Sequence, residues 1–213
     1  ATGRRVEIAM RYGRPSIEEA LTRLVAAGAT RVTAVPLFPH YADATVGSAV
    51  AHLAALAVER HPGLALRVSR PYFEEPRYIA ALAATARPLL AGGFDHLLVS
   101  FHSLPERQIR KADPTGAHCL AARDCCRRES PARATCYRAQ CLETADLLVA
   151  ALDVASERVS VSFQSKMGRG RWLGPATEDE IRRLAGEGVR RLAMIAPSFA
   201  ADCLETIDEL GVR

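Results

Sequence analysis

The chain has 213 residues, of which 49% are hydrophobic and 24% charged, a composition typical of a soluble globular protein rather than a disordered or fibrous one. Its formal net charge of +4 is spread along the sequence, which is too weak and too scattered to indicate nucleic-acid binding. No run approaches the roughly 20 apolar residues that a membrane-spanning helix needs, and no secretory apolar segment is visible near the start. We therefore expect a cytoplasmic location.

Short runs rich in Val, Ile and Leu alternate with helical patterns along the chain. The predicted strands are, in order, Val6–Met10, Arg31–Pro36, Leu64–Ser69, His96–Phe101, Arg158–Phe163 and Arg190–Pro197. Strands that alternate with helices predict a parallel sheet that is covered on both faces. The fold class is therefore expected to be α/β.

Several helix boundaries are marked by capping residues. Ser16 and Glu19 have the spacing of a capping box, and Gly28 is placed to end the helix that follows. Thr177 and Glu180 repeat the spacing before another helix. Further helices are predicted over Thr45–Arg60, Glu75–Ala91 and Ala139–Leu152.

The polar segment Leu104–Arg138 interrupts this rhythm, because it is far longer than the usual strand-to-helix connection of about 2–6 residues. Five of the six cysteines fall within Cys119–Cys141. A disulfide framework would spread its cysteines along a small secreted domain, whereas four clustered thiolates suffice for a two-iron, two-sulfur cluster or a structural zinc ion. The pattern indicates an inserted metal or cluster site in a reducing compartment.

Chemically active side chains follow two of the predicted strands. His102 comes directly after one strand, and Asp202, Glu205 and Glu209 follow the last strand at helical spacing. Because ligands bind outside the carboxyl ends of parallel strands, these residues form a plausible metal path. A structural interpretation stands beside this one, since a histidine at a strand end is often only hydrogen-bonded and acids in a first helical turn favour the helix dipole.

Six motifs, taken together and in order, resemble the ferrochelatase family, whose members insert ferrous iron into a porphyrin. They are Met10–Gly13, Pro36–Tyr41 with Thr45–Gly47, Ser100–Glu106, Phe163–Lys166, Trp172–Pro175 and Pro197–Thr206. The resemblance implies two Rossmann-like parallel-sheet domains of the class II chelatase type, of which the first is incomplete. We expect the first domain over residues 1–75 and the second over 76–213, with the cysteine-rich insertion at about 104–141.

The resemblance also implies roles for individual residues. His102 and Glu205 match the family's catalytic histidine and the glutamate that faces it across the porphyrin, and Glu209 matches a further acid of the metal or proton route. Four residues match porphyrin-contacting positions, and these are Arg11, Tyr12, Trp172 and Phe199. The implied reaction converts Fe²⁺ and protoporphyrin IX to protohaem, and peripheral membrane association would suit such a hydrophobic substrate.

Some bacterial members of the family are similar in carrying a two-iron, two-sulfur cluster on an internal cysteine-rich insertion. Adjacent Cys125 and Cys126 are not expected to bind together, so the expected ligands include one of them. The preferred set is Cys119, Cys126, Cys136 and Cys141, with Cys125 as the alternative. Zinc in place of the iron–sulfur cluster stays open at this stage.

Two other functions remain alternatives to protoporphyrin metallation. One is another tetrapyrrole chelatase, acting on coproporphyrin or sirohydrochlorin, and the other is a non-catalytic module that binds haem or an iron–sulfur cluster. Family members also extend beyond this chain at both ends, so we expect a piece that lacks an N-terminal part and a C-terminal helix and that turns over poorly alone.

Overall fold

The structure, a computed structural model, describes residues 4–212 and divides into two units. The first lies within Ala1–Leu37 and Ala42–Pro71, and the second within Phe38–Tyr41 and Tyr72–Arg213. Residues Phe38–Tyr41 therefore belong to the second unit although they lie between two segments of the first. After Pro71 the chain stays in the second unit.

The first unit is a pair of parallel strands with two helices. Its elements are α1 (Ile17–Ala26), β1 (Arg31–Ala34), a π-helical turn (Asp43–Gly47), α2 (Ser48–Arg60) and β2 (Ala65–Val68). β1 pairs with β2 in parallel, with Arg31 opposite Ala65. Apolar side chains of the two helices, Ile17, Leu21, Leu53 and Leu56, form the core against both strands.

The second unit contains a three-stranded parallel sheet. Its helices and strands are α3 (Pro76–Ala91), β3 (His96–His102), α4 (Glu106–Lys111), α5 (Tyr137–Leu152), β4 (Val159–Gln164), α6 (Thr177–Gly186) and β5 (Leu192–Ile195). Short 3₁₀ turns cover Cys125–Arg127, Pro131–Ala134 and Ser156–Arg158, and a second π-helical turn covers Glu205–Glu209. The strand order is β4-β3-β5.

The central position of β3 explains its sequence. Leu97, Leu98, Val99 and Phe101 are each fully buried, as expected for a parallel strand that is covered on both faces. In the register of the sheet, His102 at the end of β3 lies opposite Gln164 at the end of β4. The carboxyl edge of the sheet thus presents His102 beside the segment that follows β4.

Most predicted elements are present, and the α/β class is confirmed. Two expectations are wrong. Val6–Met10 forms no strand, because among residues 4–212 its backbone makes only an isolated bridge from Met10 to Ser16. Thr177 is not a helix cap, since α6 begins at Thr177 itself and the hydroxyl is buried against the sheet.

The other capping prediction is confirmed. Ser16 Oγ accepts a hydrogen bond from the backbone N–H of Glu19, and the Glu19 carboxylate accepts one from the backbone N–H of Ser16. Two backbone N–H groups at the start of α1 are thereby satisfied by side chains.

Candidate active site at the carboxyl edge of the sheet

His102 lies at the end of β3 with its ring orientation fixed by its own chain. Nδ1 is 2.6 Å from the carbonyl oxygen of Ser103, an acceptor, so Nδ1 carries the proton and Nε2 presents a lone pair. The ring of Phe199 meets the imidazole edge-on, with centroids 6.2 Å apart. A half-buried imidazole in this tautomer can accept a proton or bind a cation through Nε2.

Glu205 begins the π-helical turn near the same edge. A hydrogen bond from the Cys203 thiol lowers the pKa of the Glu205 carboxyl, and His102 lowers it further when its ring is protonated. The turn is tied to β4, because Gln164 Nε2 donates to the backbone oxygen of Glu205 at 3.1 Å. Because Gln164 also lies opposite His102 in the sheet register, the structure places Glu205 at the same edge of the sheet as His102.

Glu209 has a different environment from Glu205. Its Oε1 accepts the backbone N–H of Ser165 at 2.7 Å, and its Oε2 accepts the Ser165 hydroxyl at 2.6 Å. Ser165 has a φ of 64°, a left-handed conformation that costs a non-glycine residue free energy. The two hydrogen bonds hold this loop residue in place.

Trp172 is half-buried and pairs with Pro105 through an antiparallel bridge. Its side chain lines a groove of about 500 Å³ together with α4 and the glycine-containing loop 167–171. Arg107, Arg110 and Arg169 contribute cationic side chains to the same groove. Aromatic and cationic groups are thus available side by side near the start of α4.

Arg11 and Tyr12 belong to the first unit. Arg11 Nε donates to Ser48 Oγ at 3.0 Å, and the guanidinium lies 4.7 Å from the centroid of the Tyr12 ring. Tyr12 is 75% exposed. This pair offers an exposed aromatic face beside a cation.

Four cysteines of the inserted segment lie together. The thiols of Cys119 and Cys126 both hydrogen-bond with Cys136, and Cys125 Sγ lies 3.9 Å from Cys126 Sγ. Hydrogen bonds from Cys126 and Cys119 and from the N-terminal amides of α5 lower the pKa of Cys136 to about 6. Burial raises the pKa of Cys119 to about 12.

Two further groups stabilise this arrangement of thiols. Arg138 Nη1 lies 3.6 Å from Cys126 Sγ and 3.9 Å from Cys125 Sγ. The Asp113 carboxylate accepts the backbone N–H groups of Thr115, His118 and Cys119, which lowers its pKa and shapes the loop.

Cys141 has a different environment from these four cysteines. Its side chain is completely buried on α5, and its hydrogen-bond partner is Tyr137. Within residues 4–212, no three His, Cys, Asp or Glu side chains surround a point where a single metal ion would be held. A two-iron cluster does not need three such side chains around one point, because each of its iron ions is bound by two cysteines.

Comparison with known proteins gives the decisive observation. A family model described as Ferrochelatase matches residues 2–213. The chain belongs to the ferrochelatase family. Ferrochelatases of Azotobacter vinelandii and Ectopseudomonas mendocina are 50% and 48% identical to it over 210 and 209 residues, 98% of the chain in each case.

The same matches cover 62% and 61% of those two proteins, so this ferrochelatase-family chain spans about three fifths of its relatives' length. Among solved structures, SirB from Bacillus subtilis with Fe3+ is similar in fold, with a TM-score of 0.56 at 16% identity. That match covers 97% of this chain and 68% of SirB, and it supports the chelatase-type α/β fold alone.

Family motifs located His102 and Glu205, but sequence reasoning missed their hydrogen-bond partners. Tyr137 Oη donates to the carbonyl oxygen of His102 at 2.8 Å, and the backbone N–H of His102 donates to Ser198 Oγ at 3.2 Å. Ser198 stands in a family motif, so its position was available as a signal. Tyr137 lies between Cys136 and Cys141 in the sequence. Nothing in that cysteine pattern indicates its hydrogen bond to His102.

Proposed function

We propose that the protein inserts Fe²⁺ into protoporphyrin IX to form protohaem. The observation that carries this proposal is that His102, whose Nε2 presents a lone pair, and Glu205 meet at one edge of the sheet, where Gln164 lies opposite His102 and donates to the backbone oxygen of Glu205. Family membership and the 50% identical ferrochelatase of Azotobacter vinelandii support the same reaction.

The chemistry of metallation matches these two groups. Two pyrrole N–H protons must leave the macrocycle while a divalent cation enters it. A neutral imidazole accepts a proton near neutral pH, and a carboxylate attracts the cation and the departing protons. We assign both tasks to His102 and Glu205, with iron and porphyrin as substrates.

Contacts to the porphyrin are assigned to Arg11, Tyr12, Trp172 and Phe199. The Phe199 ring already lies against His102, and Trp172 lines a groove that also holds arginines. An aromatic face suits a flat conjugated ring, and guanidinium groups suit its propionates.

For Glu209 the surroundings support a positioning role more than the metal route that the resemblance implies. Both carboxylate oxygens are already used by Ser165. We therefore propose that Glu209 holds the loop after β4 beside His102.

The test is an anaerobic assay of Fe²⁺ or Zn²⁺ insertion. The reaction is monitored by the loss of the fluorescence of the metal-free porphyrin. His102→Ala and Glu205→Gln should each lower the rate at least about 100-fold, because each removes a proton-transfer or charge-stabilising group. His61→Ala, in the first unit, should keep the wild-type rate. Equal rates for His102→Ala and wild type would refute the assignment. Faster metallation of coproporphyrin than of protoporphyrin IX would show that coproporphyrin is the preferred substrate.

We further propose that the inserted segment holds a two-iron, two-sulfur cluster. Cys119, Cys126 and Cys136 are ligands in this proposal, and the fourth is Cys125 or Cys141. Proximity to Cys126 and the adjacent Arg138 guanidinium favour Cys125, since hydrogen bonds to sulfur are usual around such clusters. In this respect the proposal departs from the sequence-based expectation, in which Cys141 is a ligand and Cys125 and Cys126 do not bind together. Cys136 is the group best prepared to act as a thiolate.

Iron and acid-labile sulfide analysis of anaerobically purified protein tests the cluster. Cys136→Ser should lose the red-brown absorbance, and comparing Cys125→Ser with Cys141→Ser identifies the fourth ligand. Colourless protein that contains zinc would contradict the iron–sulfur proposal.

We propose a cytoplasmic location. We also propose peripheral contact with a membrane, because the product is hydrophobic. None of the six cysteines, all of which lie in the described residues, forms a disulfide, which fits a reducing compartment. In the part of the chain that the structure describes, no helix has the length and apolar character needed to cross a bilayer.

A further inference from the structure

A closed ring of three hydrogen bonds surrounds the backbone of His102. The backbone N–H of His102 donates to Ser198 Oγ at 3.2 Å, and Tyr137 Oη donates to the carbonyl oxygen of His102 at 2.8 Å. Tyr137 Oη and Ser198 Oγ are 3.1 Å apart. Because the tyrosine proton is already used, the serine hydroxyl donates to the tyrosine oxygen, which also has the Cys141 thiol within hydrogen-bond reach.

Tyr137 is suited to a permanent place in this ring. Its side chain is 7% exposed, so solvent does not compete for the hydroxyl. Its aromatic ring packs edge-on against the His40 ring at 5.8 Å between centroids. Removing the hydroxyl alone would leave this packing in place.

The ring of hydrogen bonds fixes the peptide unit directly before the carbonyl that selects the imidazole tautomer. The His102 carbonyl belongs to the peptide that joins His102 to Ser103, and the Ser103 carbonyl accepts the Nδ1 proton. Ser103 is itself fully buried, with its N–H bonded to the Gln164 carbonyl at 2.7 Å and its hydroxyl to the Leu173 carbonyl at 2.9 Å. Tyr137 is the side chain that fixes the His102 side of this peptide.

We propose that Tyr137, with Ser198, is the positioning residue of His102: its hydroxyl holds the His102–Ser103 peptide so that Nε2 is always the nitrogen presented to the substrate. This inference rests on the proposed role of His102. Partners that orient a reactive histidine typically change activity or metal affinity by about 10–100-fold when they are removed.

The direct test is ¹⁵N NMR of the imidazole nitrogens in the chain, recorded at about pH 8.5, above the ordinary titration range of histidine. The His102 signals are assigned by their loss in His102→Ala. Wild type should show a protonated Nδ1 and a bare Nε2, whereas Tyr137→Phe should show averaging between the two tautomers. Tyr72→Phe, which removes a hydroxyl of the same unit outside the ring, should match wild type.

A kinetic measurement complements the spectrum. Tyr137→Phe should lower kcat for metal insertion about 10–100-fold and leave KM for the porphyrin unchanged, because no assigned porphyrin contact is altered. If Tyr137→Phe does not fold, Ser198→Ala opens the same ring of hydrogen bonds and serves as the second variant. An unchanged His102 tautomer in the folded variants would overturn the proposal. Absence of turnover in wild type would count against the proposed function, while the NMR result would still decide the role of Tyr137.

Discussion

At the scale of single residues, His40 is a titratable group held without charge. It is 2% exposed and enclosed by the rings of Phe73, Phe101 and Tyr137. The Thr144 hydroxyl donates to the Phe73 carbonyl, so His40 Nε2–H must be the donor to Thr144 Oγ1 at 2.9 Å. Desolvation lowers the pKa of His40 to about 3, because a buried imidazolium would lose its hydration with no acceptor at Nδ1.

This burial predicts a pH dependence of stability. The unfolded chain binds a proton at His40 below about pH 6.5 and the folded chain does not, so stability is retained above that pH and falls as the pH drops toward 3. The slope approaches about 1.4 kcal/mol per pH unit. Urea unfolding of wild type and His40→Leu between about pH 7.5 and 4.5 should show a steeper decline for wild type. Parallel curves would show that His40 is protonated in the folded state.

At the scale of elements, a buried polar layer joins α6 to the sheet. Thr177 Oγ1 lies 2.8 Å from Ser100 Oγ on β3 and 2.9 Å from Ser162 Oγ on β4. Ser100 also donates to Gln164 Oε1 at 2.8 Å. Each hydroxyl in this layer has a partner, which is the condition for burying polar groups without a large cost.

Removing the central hydroxyl should be destabilising. Thr177→Val keeps the shape but deprives Ser162 of its partner, so we expect a loss of about 1–3 kcal/mol in the free energy of unfolding. Thr177→Ser keeps the hydroxyl and should lose less. Denaturant titration compares the two variants, and equal stability of the valine variant and wild type would show that the layer is dispensable.

Thr177 also shows what sequence patterns can and cannot determine about helices and strands. Ser16 and Thr177 carry the same capping spacing, yet only Ser16 caps its helix, because the sheet offers Thr177 better partners. The continuous apolar run of β3 predicted a buried central strand correctly. Val6–Met10 has similar propensity but no neighbouring strand in the described residues, and pairing, more than propensity, decides strand formation.

For the candidate site, short-range sequence signals indicate His102 and Glu205 as candidates but do not indicate what surrounds them. Tyr137 and Ser198 reach His102 from 35 and 96 residues later in the chain, and His40 meets Thr144 across 104 residues. Such contacts depend on how helices and strands pack, which periodicity and motif spacing do not specify.

At the scale of the whole molecule, the two units differ in how well their strands are protected. β3 is paired on both sides and fully buried over most of its length, whereas β1 and β2 form a sheet of two strands with alternately exposed residues. Three or more strands are generally needed for independent sheet stability. The second unit should therefore be the more stable of the two.

Hydrogen exchange measured by mass spectrometry tests this difference. Amides of β3 should exchange at least about 100-fold more slowly than those of β1 and β2, because local opening free energies follow burial and pairing. Leu21→Ala, which opens the core of the first unit at a cost of about 3 kcal/mol, should accelerate exchange in β1 and β2 and leave β3 unchanged. The reciprocal variant Leu98→Ala, in a residue that is fully buried on β3, should accelerate β3. If either variant accelerates both sheets equally, the units unfold as one cooperative body and the predicted order of stability is wrong.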